Sequence, residues 1–114
     1  MKSEYNKPWG SFKIIDSGIN FLVKKILVKP KGRLSLQSHK NRSEHWTIVQ
    51  GIAEVRIDDK TIELEPNKSV YIPKNSKHSL ANNHEKDLII IEVWYGKNLS
   101  EDDIERYEDI YGRV

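Results

Sequence analysis

The chain has 114 residues, 19 Lys and Arg against 17 Asp and Glu, a net charge of +2 and no cysteine. Length and composition fit one domain, residues 1–114, with a core of its own, and leave no room for a second cofactor domain. The near-balance of scattered charge argues against nucleic acid and membrane partners. The missing cysteines remove disulfides, thiolate zinc sites and a cysteine nucleophile, so any metal would be held by His, carboxylate or amide oxygen.

Met1 to Lys7 is polar and lacks an apolar signal core, and the longest purely aliphatic run, Leu88 to Ile91, falls far short of the roughly 20 residues of a membrane span. A cytoplasmic protein is expected. Phe12 to Ile15 and Phe21 to Val28 are rich in β-branched and aromatic residues and read as strands, punctuated by Pro30 and Gly32. Leu34, Leu36 and Ser38 then alternate with Ser35, Gln37 and His39, which puts the polar set on one face. His45 to Val49 is a strand closed by Gly51. Ala53 to Ile57 and Thr61 to Leu64 flank Asp58-Asp59-Lys60 as a hairpin, and Ser69 to Ile72 stops at Pro73. His78 to Ala81 and Leu88 to Trp94 complete a series whose turn spacing suggests an all-β sandwich or barrel. Only the tail departs. Ser100 and Asp103 have capping-box spacing, and Ile104, Tyr107 and Ile110 or Tyr111 recur at helical intervals before Gly112, predicting one short C-terminal α-helix.

Two segments carry the chemistry. In the first, Gln37 and His39 point to one side of a strand, and after a short loop Glu44 opens the next strand. If those strands are adjacent, amide, imidazole and carboxylate converge, a set that suits Zn, Mn, Fe or Co. In the second, His78 begins a later strand and offers a fourth group. Each residue alone would be an ordinary surface or satisfied polar side chain; order and spacing together make the case.

Those segments resemble the paired motifs of the cupin superfamily. His39, four residues, Glu44, six residues and Gly51 match the first motif, with Gln37 where the motif has its first His. Asn67, five residues, Pro73, Asn75, two residues, His78, three residues and Asn82 match the second, with Asn67 and Asn75 replacing glycines. Asn is the non-glycine residue that best tolerates a left-handed backbone. The resemblance narrows at both ends of the chain. Lys7-Pro8-Trp9-Gly10-Ser11-Phe12, Leu34 to Gln37, Arg42 to Trp46, Tyr71-Ile72-Pro73 and Glu101 to Arg113 resemble the type II mannose-6-phosphate isomerase domain. That domain commonly follows the transferase domain of bifunctional mannose-1-phosphate guanylyltransferases, a domain for which these residues have no counterpart. Lys40 and Asn41 depart from the family's His-rich run after His39, and Ser79 stands where Arg is frequent.

The resemblance implies a cupin double-stranded β-helix and one divalent metal ion (Zn, Co or Mn) on Gln37, His39, Glu44 and His78. It also implies interconversion of mannose 6-phosphate and fructose 6-phosphate. A different cupin enzyme, such as another sugar isomerase or a dioxygenase, and a non-catalytic sugar-binding module are the alternatives. Arg42 is the first candidate for a phosphate or oxyanion contact, Lys40 the second, and Arg113 shares their ambiguity. His45 should face away from Glu44 unless a bulge re-aims it. Trp46 should face inward, and Trp9 and Trp94 should lie in the core or at an interface. A homodimer is expected, because a short barrel has sheet edges to cover, and all three tryptophans are considered for that contact.

Overall fold

In the computed structural model, which describes residues 4–114, period-2 alternation becomes strand almost everywhere; Met1 to Ser3, the start of the polar N-terminal segment, lie outside the described residues. The strands are β1 (Glu4–Lys7), β2 (Gly10–Gly18), β3 (Phe21–Val28), β4 (Leu36–Ser38) and β5 (Ser43–Gln50). Then come β6 (Ala53–Ile57), β7 (Lys60–Leu64), β8 (Ser69–Ile72), β9 (His78–Ala81), β10 (Leu88–Tyr95) and β11 (Glu105–Glu108). They form two sheets in the orders β1-β2-β3-β10-β5-β8 and β11-β4-β9-β6-β7, with every pairing antiparallel. Phe12, Ile26, Val28, Ile48, Ile72, Leu88 and Ile90 of the first sheet bury against Ala53, Val55 and Leu80 of the second, with Leu34 and Trp9 closing the core.

Turn chemistry follows the sequence closely. Asn67 and Asn75, standing in for motif glycines, have φ of 76° and 68°, the left-handed conformation that Asn accepts with least strain. Gly51 has φ of 85°, and a Cβ there would sit 2.9 Å from the Asp87 carbonyl oxygen. Asn82, the last residue of the second motif, is fully buried. Its Nδ2 donates to the Val28 and Lys86 carbonyls at 3.0 and 2.7 Å, tying the end of β3 to the turn before β10.

The C-terminal helix does not form. Its expected span is a turn followed by β11, which adds an edge strand to β4, with Glu105 opposite Ser38 and Arg106 opposite Gln37. Of the capping-box residues, Ser100 Oγ accepts from the Asp102 N–H at 3.1 Å within a turn, and Asp103 is spent elsewhere. The Asp103 carboxylate accepts from the backbone N–H groups of Lys40 and Asn41 at 2.9 and 2.8 Å, and Tyr107 Oη bonds Ser38 Oγ at 2.9 Å. A helix this short is marginal without tertiary support. Pairing satisfies the otherwise bare edge of β4, so the sheet wins.

The tryptophans are all interior, with Trp9 6%, Trp46 1% and Trp94 2% exposed, so none is free for a subunit contact within this fold. His45 is exposed on the outer face, its ring 4.8 Å from that of Tyr71. The one register shift between β5 and β10 lies between Ile89 and Ile90, away from His45, so the strand there alternates regularly.

Candidate metal centre and cavity

The inward rows of β3, β10 and β5 change character along their length. At one end Leu88 lies opposite Val28, and Ile90 lies opposite Ile26 and Ile48. One step further Glu92 faces Lys24 on one side and Trp46 on the other, and then Trp94 faces Glu44. Glu44-His45-Trp46 and Glu92-Val93-Trp94 are thus two Glu-x-Trp segments on antiparallel neighbours, set in opposite directions. Each indole donates to the carboxylate two residues before it, Trp46 Nε1 to Glu44 Oε1 at 2.9 Å and Trp94 Nε1 to Glu92 Oε1 at 2.7 Å. The second sheet supplies Gln37 on β4 and its register partner His78 on β9. His39 and Arg42 come from the β4–β5 connection.

His39, Glu44 and His78 are all buried, and one potential ligand atom from each lies within 4.8 Å of the others. The backbone fixes what the histidines present. His39 Nδ1 donates to the Asp103 carbonyl at 2.7 Å, and His78 Nδ1 donates to the Ser76 carbonyl at 3.0 Å, since a carbonyl can only accept. Both rings therefore turn an Nε2 lone pair inward. His78 Nε2 is buried with no hydrogen-bond partner. His39 Nε2 stands 3.2 Å from Glu44 Oε2. A buried orphaned imidazole nitrogen beside a second lone pair and a carboxylate is costly alone and fits a divalent cation of the zinc, manganese or cobalt kind. Gln37 is buried and lines the same cavity.

Protonation follows burial. Burial lowers the His39 pKa to about 4, and the Arg42 and His78 charges push the same way against the pull of Glu44 and the Asp103 carbonyl. His78 is lowered too, again mainly by burial. Burial by itself would raise Glu44, but a hydrogen bond from Glu92 and the charges of Arg42, His78 and His39 outweigh it and keep it ionised. Glu92 takes the opposite state. Burial first, and then the neighbouring Glu44 charge, raise it well above the carboxylate range.

Arg42 is buried with its guanidinium 3.5 Å from the Trp94 ring centroid. Nε donates to Glu44 Oε2 at 2.8 Å, one terminal nitrogen to the Ser100 carbonyl at 3.1 Å, and the other to His39 Nε2 at 3.1 Å. The structure therefore brings Gln37, His39, Arg42 and Glu44 to the wall of one cavity of about 270 Å³, with His78 buried behind that wall and a ligand atom within 4.8 Å of His39 and Glu44. It does not bring Lys40, whose side chain is exposed beside Asp102 to Glu105 in a separate depression. Arg113 lines the cavity but is engaged by Asp109, at 2.7 Å from Nε and 3.1 Å from a terminal nitrogen. Among the lining residues that sequence reasoning missed are Lys24, Glu92, Glu101 and Arg106, the last with its Nε buried without a partner. The repeat of Glu-x-Trp in β10 was a readable signal for Glu92. In Val23-Lys24-Lys25-Ile26 one of two consecutive lysines had to face inward. Nothing in the sequence pattern marked Arg106.

The model of the family described as mannose-6-phosphate isomerase C-terminal matches residues 1–109. The chain belongs to that family. Among curated relatives, it is 56% identical over 111 residues to the alginate biosynthesis protein AlgA of Pseudomonas aeruginosa, covering 97% of this chain and 23% of that protein. It is 46% identical over 114 residues to the mannose-1-phosphate guanylyltransferase ManC of Salmonella typhimurium, covering 100% of this chain and 24% of the relative. The chain thus spans about a quarter of the length of these relatives. Among solved structures, a double-stranded β-helix domain protein from Klebsiella pneumoniae superposes with a TM-score of 0.74 at 15% identity, covering 85% of this chain and 78% of the other. A cupin barrel domain protein from Salinispora arenicola gives 0.66 at 20% identity, covering 74% and 73%. The fold of this chain is therefore the cupin double-stranded β-helix, without the expected tail helix. No helix among the described residues is long and apolar enough to cross a membrane.

Proposed function

We propose that this chain interconverts mannose 6-phosphate and fructose 6-phosphate, with one divalent metal held by His39, Glu44, His78 and Gln37. The observation that carries the reading is the convergence of the His39 and His78 Nε2 atoms on Glu44, beside a cavity lined by both cations and carboxylates, in a member of this family. Aldose–ketose isomerisation moves a proton between adjacent carbons while negative charge develops on oxygen. A bound Zn, Co or Mn ion supplies Lewis acidity toward that oxygen and helps orient the sugar. The chain's own residues do the rest. Glu44 stays ionised and Glu92 protonated inside a wall shielded from water by Trp46 and Trp94. Arg42 donates to Glu44, His39 and Ser100; the single His39 Nε2 lone pair cannot serve both Arg42 and a metal, so the bond to His39 would open on metal binding and leave three of the five Arg42 N–H groups for an oxyanion. Arg106, with its unpartnered Nε, is a cation left to meet the phosphate. The expected homodimer would have to use the outer sheet face or the sheet edges, since the tryptophans are interior; a monomeric mass in light scattering would contradict it.

The test supplies metal-loaded chain with mannose 6-phosphate and follows fructose 6-phosphate. Conversion with one of zinc, cobalt or manganese is expected. No conversion with any of them would leave a different cupin activity or a sugar-binding module. His78→Ala should lower metal affinity roughly 100-fold or more, and unchanged stoichiometry by elemental analysis would remove His78 from the ligand set.

A further inference from the structure

Lys24 points inward from β3 and is only 4% exposed. Its Nζ lies 3.9 Å from the Phe12 ring centroid and 4.0 Å from that of Trp94. Two aromatic faces attract an ammonium group, but they do not replace the water it has lost, and a buried cation needs an anion. The anion it finds is Glu101 Oε2, at 2.5 Å, from the turn between β10 and β11. The two partners are unlike. The Lys24 side chain is 5% exposed, whereas that of Glu101 is 55% exposed. Glu101 therefore keeps much of its hydration while paired and loses little when it lets go.

Two other cavity cations, Arg42 and Arg113, differ on this point. Arg42 is bound to the buried Glu44, and the Asp109 carboxylate that holds Arg113 has no exposed surface. The turn that carries Glu101 is anchored without it. Asp103 bonds the Lys40 and Asn41 N–H groups, its carbonyl accepts from His39, Ser100 accepts from Arg42, and β11 pairs with β4. A buried ammonium lining the cavity, paired with a mostly hydrated and structurally dispensable carboxylate, is an anion site with an internal occupant.

We propose that Lys24 contacts the phosphate dianion of the substrate, and that Glu101 is a built-in competitor which yields to it and so tunes affinity for phosphorylated over neutral sugar. The substrate part rests on the isomerase reading; the exchange at Lys24 does not. Calorimetric titration of the metal-loaded chain, with free metal removed, separates the two by using inorganic phosphate, mannose 6-phosphate and mannose as probes. Glu101→Gln should tighten binding of inorganic phosphate by about three- to five-fold, the scale of one partly exposed ion pair. Lys24→Met should weaken it by about ten-fold or more. In the Lys24→Met background, Glu101→Gln should have no effect. The tightening is the deciding readout, because loss of a purely structural latch would loosen the turn and weaken binding. Weaker or unchanged binding in Glu101→Gln, tightening that survives Lys24→Met, or no phosphate binding by either wild type or Glu101→Gln overturns the proposal. Phosphate exchange of the expected form together with no binding of mannose 6-phosphate would instead leave the site standing and remove the isomerase substrate.

Discussion

The two ends of the sandwich are built on the same strands and differ only in what the inward rows carry. Toward Leu88, Ile90, Ile26 and Ile48 the rows are aliphatic and pack against Val55 and Leu80. Two residues further along the same strands they carry Lys24, Glu92 and Trp46, and two further still Glu44 and Trp94. The dry end gains stability by removing apolar surface from water. The cavity end spends some of it by burying charge. The site is thus a continuation of the core with its polarity inverted, held rigid by the core behind it.

The largest effect should come from breaking the dry end. Ile90→Ala should cost about 2–5 kcal/mol in urea denaturation while metal content per folded molecule stays the same. A loss of metal at full folding would show that the two ends are not separable. At the cavity end, Arg42→Ala should slow turnover by about 2–4 kcal/mol in the transition state, roughly 30- to 1,000-fold. Arg42→Lys should rescue only partly, because an ammonium cannot reproduce the guanidinium fork. Equal rates in wild type and Arg42→Ala would remove Arg42 from the chemistry.

Acid should act through the cavity end. In the metal-free chain, His39 faces Glu44, Arg42, His78 and the Asp103 carbonyl, and burial lowers its pKa from 6.5 to about 4. The unfolded chain therefore binds the proton more readily. The contribution of a neutral His39 is complete above about pH 6.5 and is lost as pH falls toward 4, about 3 kcal/mol in all. Urea midpoints measured in chelator across that window should fall, and a flat profile would contradict the burial argument. The smallest effect belongs to Glu92→Gln. Burial and the neighbouring Glu44 charge raise the Glu92 pKa well above the carboxylate range, so the neutral amide should be close to an isostere and stability at neutral pH should change by less than about 1 kcal/mol. A much larger loss would mean that Glu92 is buried as a charge.

Alternation and turn residues determined by themselves most of the strands, the inward direction of Glu44 and Trp46, the outward direction of His45, and the left-handed turns at Asn67 and Asn75. These follow from steric rules that act within a few residues: a strand reverses its side chains at each step, and Asn tolerates positive φ. Resemblance to the cupin motifs grouped His39, Glu44 and His78, whose ligand atoms the fold brings within 4.8 Å of one another. The tertiary structure alone decided three things. It turned the Ser100 to Tyr111 pattern into a strand, because the β4 edge offered hydrogen bonds that a short isolated helix could not match. It kept Lys40 out of the cavity and brought Lys24 and Arg106 in, because membership depends on which strands are neighbours and in what register. It also set the opposite protonation states of Glu44 and Glu92, two carboxyls with the same local sequence context of Glu-x-Trp. Their difference comes from the hydrogen bond the two carboxyls share and from Arg42 lying against Glu44, an arrangement in space that no spacing along the chain encodes.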